Sequence, residues 1–124
     1  MVGIDIIKTA RMQKMMQRFG NKALERFLTQ EEIALVKNYK TAAGFWATKE
    51  ALSKALGTGI GSQCSFFDIR ISKTPQGAPQ LALSQKLIKE FNIQSATLSI
   101  THDGEYAISV VVLESSTTNK IEQF

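Results

Sequence analysis

The chain has 124 residues, 44% of them hydrophobic, a single cysteine and a formal net charge of +4. That length makes one domain with a real core, no apolar run approaches the roughly 20 residues of a membrane span, and no long apolar secretory h-region opens the chain. One cysteine excludes an intrachain disulfide and a CxxC metal knuckle, and it points to a reducing, cytoplasmic setting.

Lys and Arg are concentrated before residue 62, so the first half is basic and the second close to neutral. A basic face calls for an anionic partner: nucleic acid, a phosphate-rich small molecule or an acidic protein. Residues 2–7 read as a short buried strand carrying Asp5 among Ile and Val. A buried lone carboxylate is costly unless it is paired or bound to a cation. A solvated strand edge is the other place it can stand.

A helix is predicted from Thr9, as N-cap, to Phe19. Met12, Met15, Met16 and Phe19 make its apolar stripe, and Arg11, Lys14 and Arg18 line another face. That basic face reads either as a solvated surface or as a docking surface for an acidic helix. Gly20 and Asn21 break the chain, and residues 22–27 form a short helical turn. Thr29 with Glu32 three later is a capping box, opening a helix from Gln30 to about Asn38.

The next helix runs from about Lys40 to Leu56. Phe45, Leu52 and Leu56 share one side. Glu50 and Lys54 lie four apart on another, with Trp46 one turn before Glu50. By itself the Glu50–Lys54 pair is a surface contact worth about 0.2–0.5 kcal/mol, and Gly57 is a helix stop. The alternative is a carboxylate facing a backbone-exposing loop, Gly57 to Gly61, which suits a metal-bound phosphate.

The second half changes texture. Cys64 reads as a small buried filler. Residues 66–72 alternate, with Phe67, Ile69 and Ile71 on one face. Residues 74–79 make a Pro/Gly turn, and Leu81 to Leu83 return as the hairpin partner. Ser84 caps a helix from about Gln85 to Phe91. Strands follow at Ala96–Thr101 and Tyr106–Leu113, joined by a turn, residues 102–105, with His102 at its tip. His102 is the only histidine; it reads either as a solvated turn residue or as a group that reaches a phosphate or a reacting proton. From Ser115 the chain is polar, and residues 115–124 are expected to fray. The class is α+β, with helices packed on an antiparallel sheet. The chain has no GxxxxGK[ST], no GxGxxG after a strand and no HExxH.

Three segments fall into one family pattern: Gly3-Ile4-Asp5 with Arg11 six residues beyond; Phe45 to Ala51 with Lys54, Gly57, Thr58 and Gly59; and Ser99 to His102 with Tyr106-Ala107. Over residues 1–114 the sequence resembles the short bacterial type of the 4'-phosphopantetheinyl transferase superfamily, the holo-[acyl-carrier-protein] synthases. The turn with Gly77 and Pro79 falls where that family has its Gly-x-Pro turn. The resemblance implies transfer of the phosphopantetheine arm of coenzyme A to a serine of apo acyl carrier protein, with adenosine 3',5'-bisphosphate released. It implies Asp5 and Glu50 as ligands of Mg²⁺. Lys54, Gly57, Gly59 and His102 fall to the cofactor and its phosphates, and Glu50, Lys54 and His102 to catalysis. Arg11, with Lys14 and Arg18, falls to docking of the acidic carrier protein. A cytoplasmic homotrimer with sites between subunits is implied too, with no nucleic-acid or membrane partner.

Two positions depart from the pattern. Lys8 stands where an acidic residue is common, and Ile7 stands where larger relatives carry a third carboxylate. The rival readings are a small basic nucleic-acid-binding module and a non-catalytic carrier-protein binder. The first lacks strands with interleaved aromatic and basic residues and any helix-turn-helix spacing. The second fits poorly with Asp5, Glu50, Lys54 and His102 standing together.

Overall fold

The protein is described by a computed structural model over residues 1–116 and Gln123. In chain order it forms β1 (Val2–Lys8), α1 (Thr9–Phe19), α2 (Asn21–Glu25), α3 (Gln30–Ile33) and α4 (Tyr39–Ala55). A 3-10 turn (Phe66–Asp68), β2 (Ile69–Lys73), β3 (Pro79–Leu83), α5 (Gln85–Phe91), β4 (Ile93–Asp103) and β5 (Tyr106–Ser115) follow. Two antiparallel sheets result, one ordered β1-β5-β4 and one pairing β2 with β3. The α+β class with helices on an antiparallel sheet is what the sequence led us to expect.

The long helix α4 crosses the three-stranded sheet on a stripe of small residues. Gly44 meets Ile100 and His102 of β4. One turn on, Thr48 bonds Ser109 of β5 at 2.8 Å. Further along, Ala51 and Ala55 lie against Gly3 of β1. Small side chains let helix backbone approach strand backbone, and the crossing direction follows from where they stand. On either side of this seam the core has two parts. One gathers Met12, Phe27, Leu28 and Phe45; the other gathers Leu52, Leu56, Ile69, Leu87 and Val111. Cys64 is fully buried in the second, and burial pushes its thiol up to about 11, so it is the inert filler expected.

Several predicted boundaries differ. Thr9 is the first helical residue of α1 rather than its cap; Lys8 holds the extended N-cap position, and Thr9 Oγ1 donates to the Glu105 carbonyl at 3.1 Å. The Thr29–Glu32 capping box is present. The helix after it stops at Ile33 instead of Asn38, because Asn38 is extended and caps α4, its Oδ1 accepting from the N–H groups of Lys40 and Thr41. Phe67 does not share the inner strand face. Ser65 and Asp68 cap a 3-10 turn there, which leaves Phe67 48% exposed and starts β2 at Ile69.

His102 is a strand residue paired with Ala107, not the tip of the hairpin. The loop needs only Gly104 and Glu105, with Gly104 at φ +57°, the geometry of a two-residue hairpin turn with glycine first. The last strand runs two residues past its expected end, since Ser115 Oγ donates to the Phe91 carbonyl at 2.5 Å. The rest of the expected polar tail, apart from Ser116 and Gln123, lies outside the described residues.

Candidate active site

Strand alternation points Gly3, Asp5 and Ile7 of β1 toward α4, and Val2, Ile4 and Ile6 away from it. A Cβ on Gly3 would lie 1.8 Å from the Ala51 carbonyl oxygen. Glycine is therefore what seats α4 on β1 and sets Asp5 beside the helix. The Lys54 Nζ donates to Asp5 Oδ1 at 2.7 Å, with the lysine side chain 53% and the aspartate 14% exposed. The i,i+4 Glu50–Lys54 surface pair does not form as an ion pair; Lys54 reaches across to the strand instead.

Burial, and then the negative charge of Asp5, hold the Glu50 carboxyl above its ordinary pKa, with Lys54 pulling it the other way. Strand and helix thus bring two carboxylates and one ammonium together, which leaves net negative charge on hard oxygen donors. Such a donor set fits a hard divalent cation of the Mg²⁺ type, which accepts one or two carboxylates and fills its remaining places from water and substrate oxygens. Among the described residues no group of three or more His, Cys, Asp or Glu is placed to hold a metal, and Ile7, two residues after Asp5, is apolar.

The loop after α4 folds back on the same end of the helix. The Gly57 N–H meets the Lys54 carbonyl at 3.0 Å, and the N–H groups of Thr58 and Gly59 meet the Ser53 carbonyl at 3.1 and 3.2 Å. Gly57 and Gly59 have φ of +79° and +67°, with open space where a Cβ would stand. The backbone there is accessible next to Lys54.

His102 belongs to a different place. Its Nε2 is 2.9 Å from the Lys40 carbonyl; a carbonyl only accepts, so Nε2 carries the proton and Nδ1 is left for another partner. A Cβ on Gly44 would come within 3.3 Å of that nitrogen and 3.0 Å of Ile100 Cγ2, so glycine there lets the imidazole approach the first turns of α4. An open pocket of about 210 Å³ adjoins it, walled by Thr41, Gly44 and Phe45 of α4, Ile100, and Lys73, Gly77 and Pro79 of the β2–β3 turn. In register, Asp5 aligns with Ser109 and Ile100, whereas His102 aligns with Ala107 and Ile7. Two strand spacings and two residues separate Asp5 from His102, roughly 12 Å between backbones. The body of α4, with Thr48 on Ser109, lies between them. Within one chain, then, Asp5, Glu50, Lys54, Gly57 and Gly59 come together, and His102 does not join them.

On α1, Arg11, Lys14 and Arg18 are exposed on the face away from fully buried Met12. None makes an ion pair among the described residues; the Arg18 guanidinium lies 5.1 Å from the Phe19 ring centre. The Trp46 indole packs on Phe27 and Phe66 at centroid distances of 5.1 and 4.9 Å, which makes it a core residue rather than part of a polar stripe.

Sequence reasoning passed over one feature beside the carboxylates. Lys49 is fully buried and donates to Glu32 Oε1, the Phe27 carbonyl and the Phe66 carbonyl at 3.0, 2.7 and 3.0 Å. The signal was present: Lys49 stands four residues after Phe45 and three before Leu52, in the middle of the apolar stripe.

A family profile described as the 4'-phosphopantetheinyl transferase superfamily matches residues 1–111. The holo-[acyl-carrier-protein] synthase of Sulfurimonas denitrificans is 64% identical over 121 residues, spanning 98% of this chain and 100% of that protein. Among solved structures, Helicobacter pylori holo-[acyl-carrier-protein] synthase in complex with coenzyme A is similar at a TM-score of 0.89 with 51% identity, covering 92% of this chain and 100% of that one. A Bacillus anthracis holo-(acyl-carrier-protein) synthase in complex with CoA (3',5'-ADP) is similar at a TM-score of 0.77 with 40% identity, covering 93% and 96%.

Proposed function

The chain belongs to the holo-[acyl-carrier-protein] synthases of the 4'-phosphopantetheinyl transferase superfamily, and from that premise we propose how its residues divide the reaction. The enzyme moves the 4'-phosphopantetheine group of coenzyme A to a serine of apo acyl carrier protein and releases adenosine 3',5'-bisphosphate. The observation that carries the division of labour is the juxtaposition of Asp5, Glu50 and Lys54, with Lys54 on Asp5 at 2.7 Å and the Glu50 pKa raised by burial and then by Asp5.

Asp5 and Glu50 are the residues that would hold Mg²⁺. When bound, that ion neutralises charge on the pyrophosphate oxygens. Lys54, half-exposed at the same spot, binds a phosphate oxygen as a point charge. Gly57 and Gly59 leave space free of side chains beside it for the cofactor. Glu50, a carboxylate beside the proposed phosphate site, is also the proposed acceptor of the serine proton. His102, with Nε2–H donating to the Lys40 carbonyl, offers Nδ1 as acceptor of the proton in transit; only as an imidazolium does it donate from Nδ1 to a cofactor phosphate.

Because His102 and the carboxylates stand apart in one chain, the complete site is proposed to form between two copies. The outward sheet face supports this. Val2, Ile4 and Ile6 of β1 are 66%, 58% and 57% exposed. They align with Val112, Val110 and Ile108 of β5 into one apolar ladder. A homotrimer in the cytoplasm, with this face inward, is the assembly proposed. The exposed cations Arg11, Lys14 and Arg18 are the proposed docking face for the acidic carrier protein.

The test is intact-mass analysis of apo carrier protein incubated with enzyme, coenzyme A and Mg²⁺. A phosphopantetheine-sized gain is expected with the wild type, and its loss with a chelator, with Asp5→Ala and with Glu50→Ala. A full gain from Asp5→Ala would overturn the proposed metal pair.

A further inference from the structure

We propose that the buried Lys49–Glu32 ion pair is a positioning device for the reaction, one that fixes the rotation of α4 so that Glu50 meets Asp5 and ties that rotation to the wall of the His102 pocket. This rests on the roles given above to Glu50 and Asp5. Adjacent residues on a helix are turned about 100° apart. Whatever locks Lys49 therefore also sets the direction of Glu50.

The lock is complete. All three protons of the Lys49 ammonium have acceptors: the Phe27 carbonyl at 2.7 Å, Glu32 Oε1 at 3.0 Å and the Phe66 carbonyl at 3.0 Å. Those acceptors come from the chain after α2, from α3 and from the 3-10 turn, so α4 is fixed against three separate pieces of backbone. The Phe67 ring covers the ammonium, its centre 5.8 Å from Nζ.

Glu32 is used to the full as well. Its Oε1 also accepts from the Thr29 N–H at 2.9 Å and the Thr29 hydroxyl at 3.2 Å, while Oε2 accepts from the Ile71 N–H at 3.0 Å. Ile71 is in β2, and the hairpin of β2 and β3 carries Lys73, Gly77 and Pro79 into the pocket beside His102. One carboxylate thus joins the helix bearing Glu50 to the hairpin lining the other half-site.

Stability alone does not call for this arrangement. Burying two charges costs desolvation, and well-packed apolar residues of similar volume are often as stable or more so. What an apolar pair lacks is direction: it resists separation but permits rotation and sliding. Three directed hydrogen bonds on Lys49 forbid both.

The test compares wild type, Asp5→Ala and Glu32→Gln, all as full-length chains well below their melting temperatures. Free Mn²⁺ is followed by electron paramagnetic resonance in a titration without coenzyme A, and kcat is measured at saturating coenzyme A, metal and apo carrier. Carrier affinity is measured in parallel. Wild type is expected to bind Mn²⁺ in a manner abolished by Asp5→Ala. Glu32→Gln should bind it at least fivefold more weakly and lose at least tenfold in kcat, with carrier affinity within twofold of wild type. A purely structural role lowers the melting temperature but leaves metal affinity and kcat intact at low temperature. Should Glu32→Gln fail to fold, Glu32→Asp takes its place, since a shorter carboxylate keeps the charge but reaches Lys49 or Ile71, not both.

Absence of Asp5-dependent Mn²⁺ binding in the wild type would overturn the metal reading itself, and kcat then decides the inference. A Glu32→Gln enzyme with wild-type kcat overturns the inference whatever the metal result.

Discussion

Gly3 of β1 and the carbonyl of Ala51 in α4 are in backbone-to-backbone contact: a Cβ on Gly3 would lie 1.8 Å from that oxygen and 2.7 Å from the Ala55 nitrogen. Both neighbours are main-chain atoms of a long helix, so no side chain can move aside. Gly3→Ala is therefore expected to lift α4 from the sheet at the point where Asp5 and Glu50 approach one another. The expected cost is about 3 kcal/mol or more, beyond the usual range for an added methyl group. Urea denaturation measures it, and a loss below about 1 kcal/mol would mean the contact relaxes easily.

The Glu50 titration follows from its surroundings. Burial and Asp5 raise its pKa and Lys54 lowers it. Asp5→Asn should bring the Glu50 pKa down, short of the ordinary value because burial remains, and Lys54→Met should take it further up. Carboxyl-carbon NMR of labelled protein without metal reads both. The linked stability has a definite sign. A raised folded-state pKa means that ionised Glu50 weakens the fold above that pKa. The penalty lifts as pH falls through it and is gone below the unfolded-state value. If Asp5→Asn leaves the Glu50 titration in place, the two carboxylates are not neighbours in solution.

The apolar ladder on the outer sheet face predicts assembly. Ile4→Asp and Ile6→Asp place charges where side chains are more than half exposed in one chain, so the fold should survive. Sedimentation velocity should report a trimer for the wild type and a folded monomer, with turnover lost, for the double variant. A wild-type monomer that turns over fully would rule out a shared site.

Docking on α1 predicts a split between substrates. Arg11→Glu with Arg18→Glu should raise KM for apo carrier protein about tenfold or more and leave KM for coenzyme A within twofold. The carrier effect should shrink as salt is added, because exposed charges are screened within about 8–10 Å at moderate ionic strength. Equal effects on both substrates would mean that α1 acts on the fold instead.

The candidate site was legible only with the family resemblance: residue types and spacing alone left Asp5 between a paired buried carboxylate and a solvated strand edge, and Glu50 with Lys54 between a surface pair and a metal-phosphate site. The fold brings the three side chains together. What was not readable depended on competition between neighbouring caps and on partners far away in the chain. Asn38 reads as a helix residue until it is seen capping α4, and Ser65 with Asp68 turns Phe67 outward from a strand that alternates well on paper. His102 was expected at a hairpin tip because a turn can be four residues or two, and only the register with Ala107 decides. Lys54 favours Asp5 over Glu50 because β1 passes under α4, a relation between residues 49 positions apart. Lys49 drew no reading of its own, although its place in the Phe45–Leu52 stripe marked it as buried.

Complementation between two inactive variants tests most directly the claim that the reaction needs Asp5, Glu50 and Lys54 from one copy and His102 from another. Asp5→Ala and His102→Ala chains, each inactive alone, are mixed, unfolded and refolded together, and the mass of apo carrier protein is followed with coenzyme A and Mg²⁺. The mixture should regain a substantial part of wild-type turnover, because some interfaces pair an intact Asp5 with an intact His102. A mixture as inactive as its parents, from trimers shown to contain both chains, would contradict the shared site.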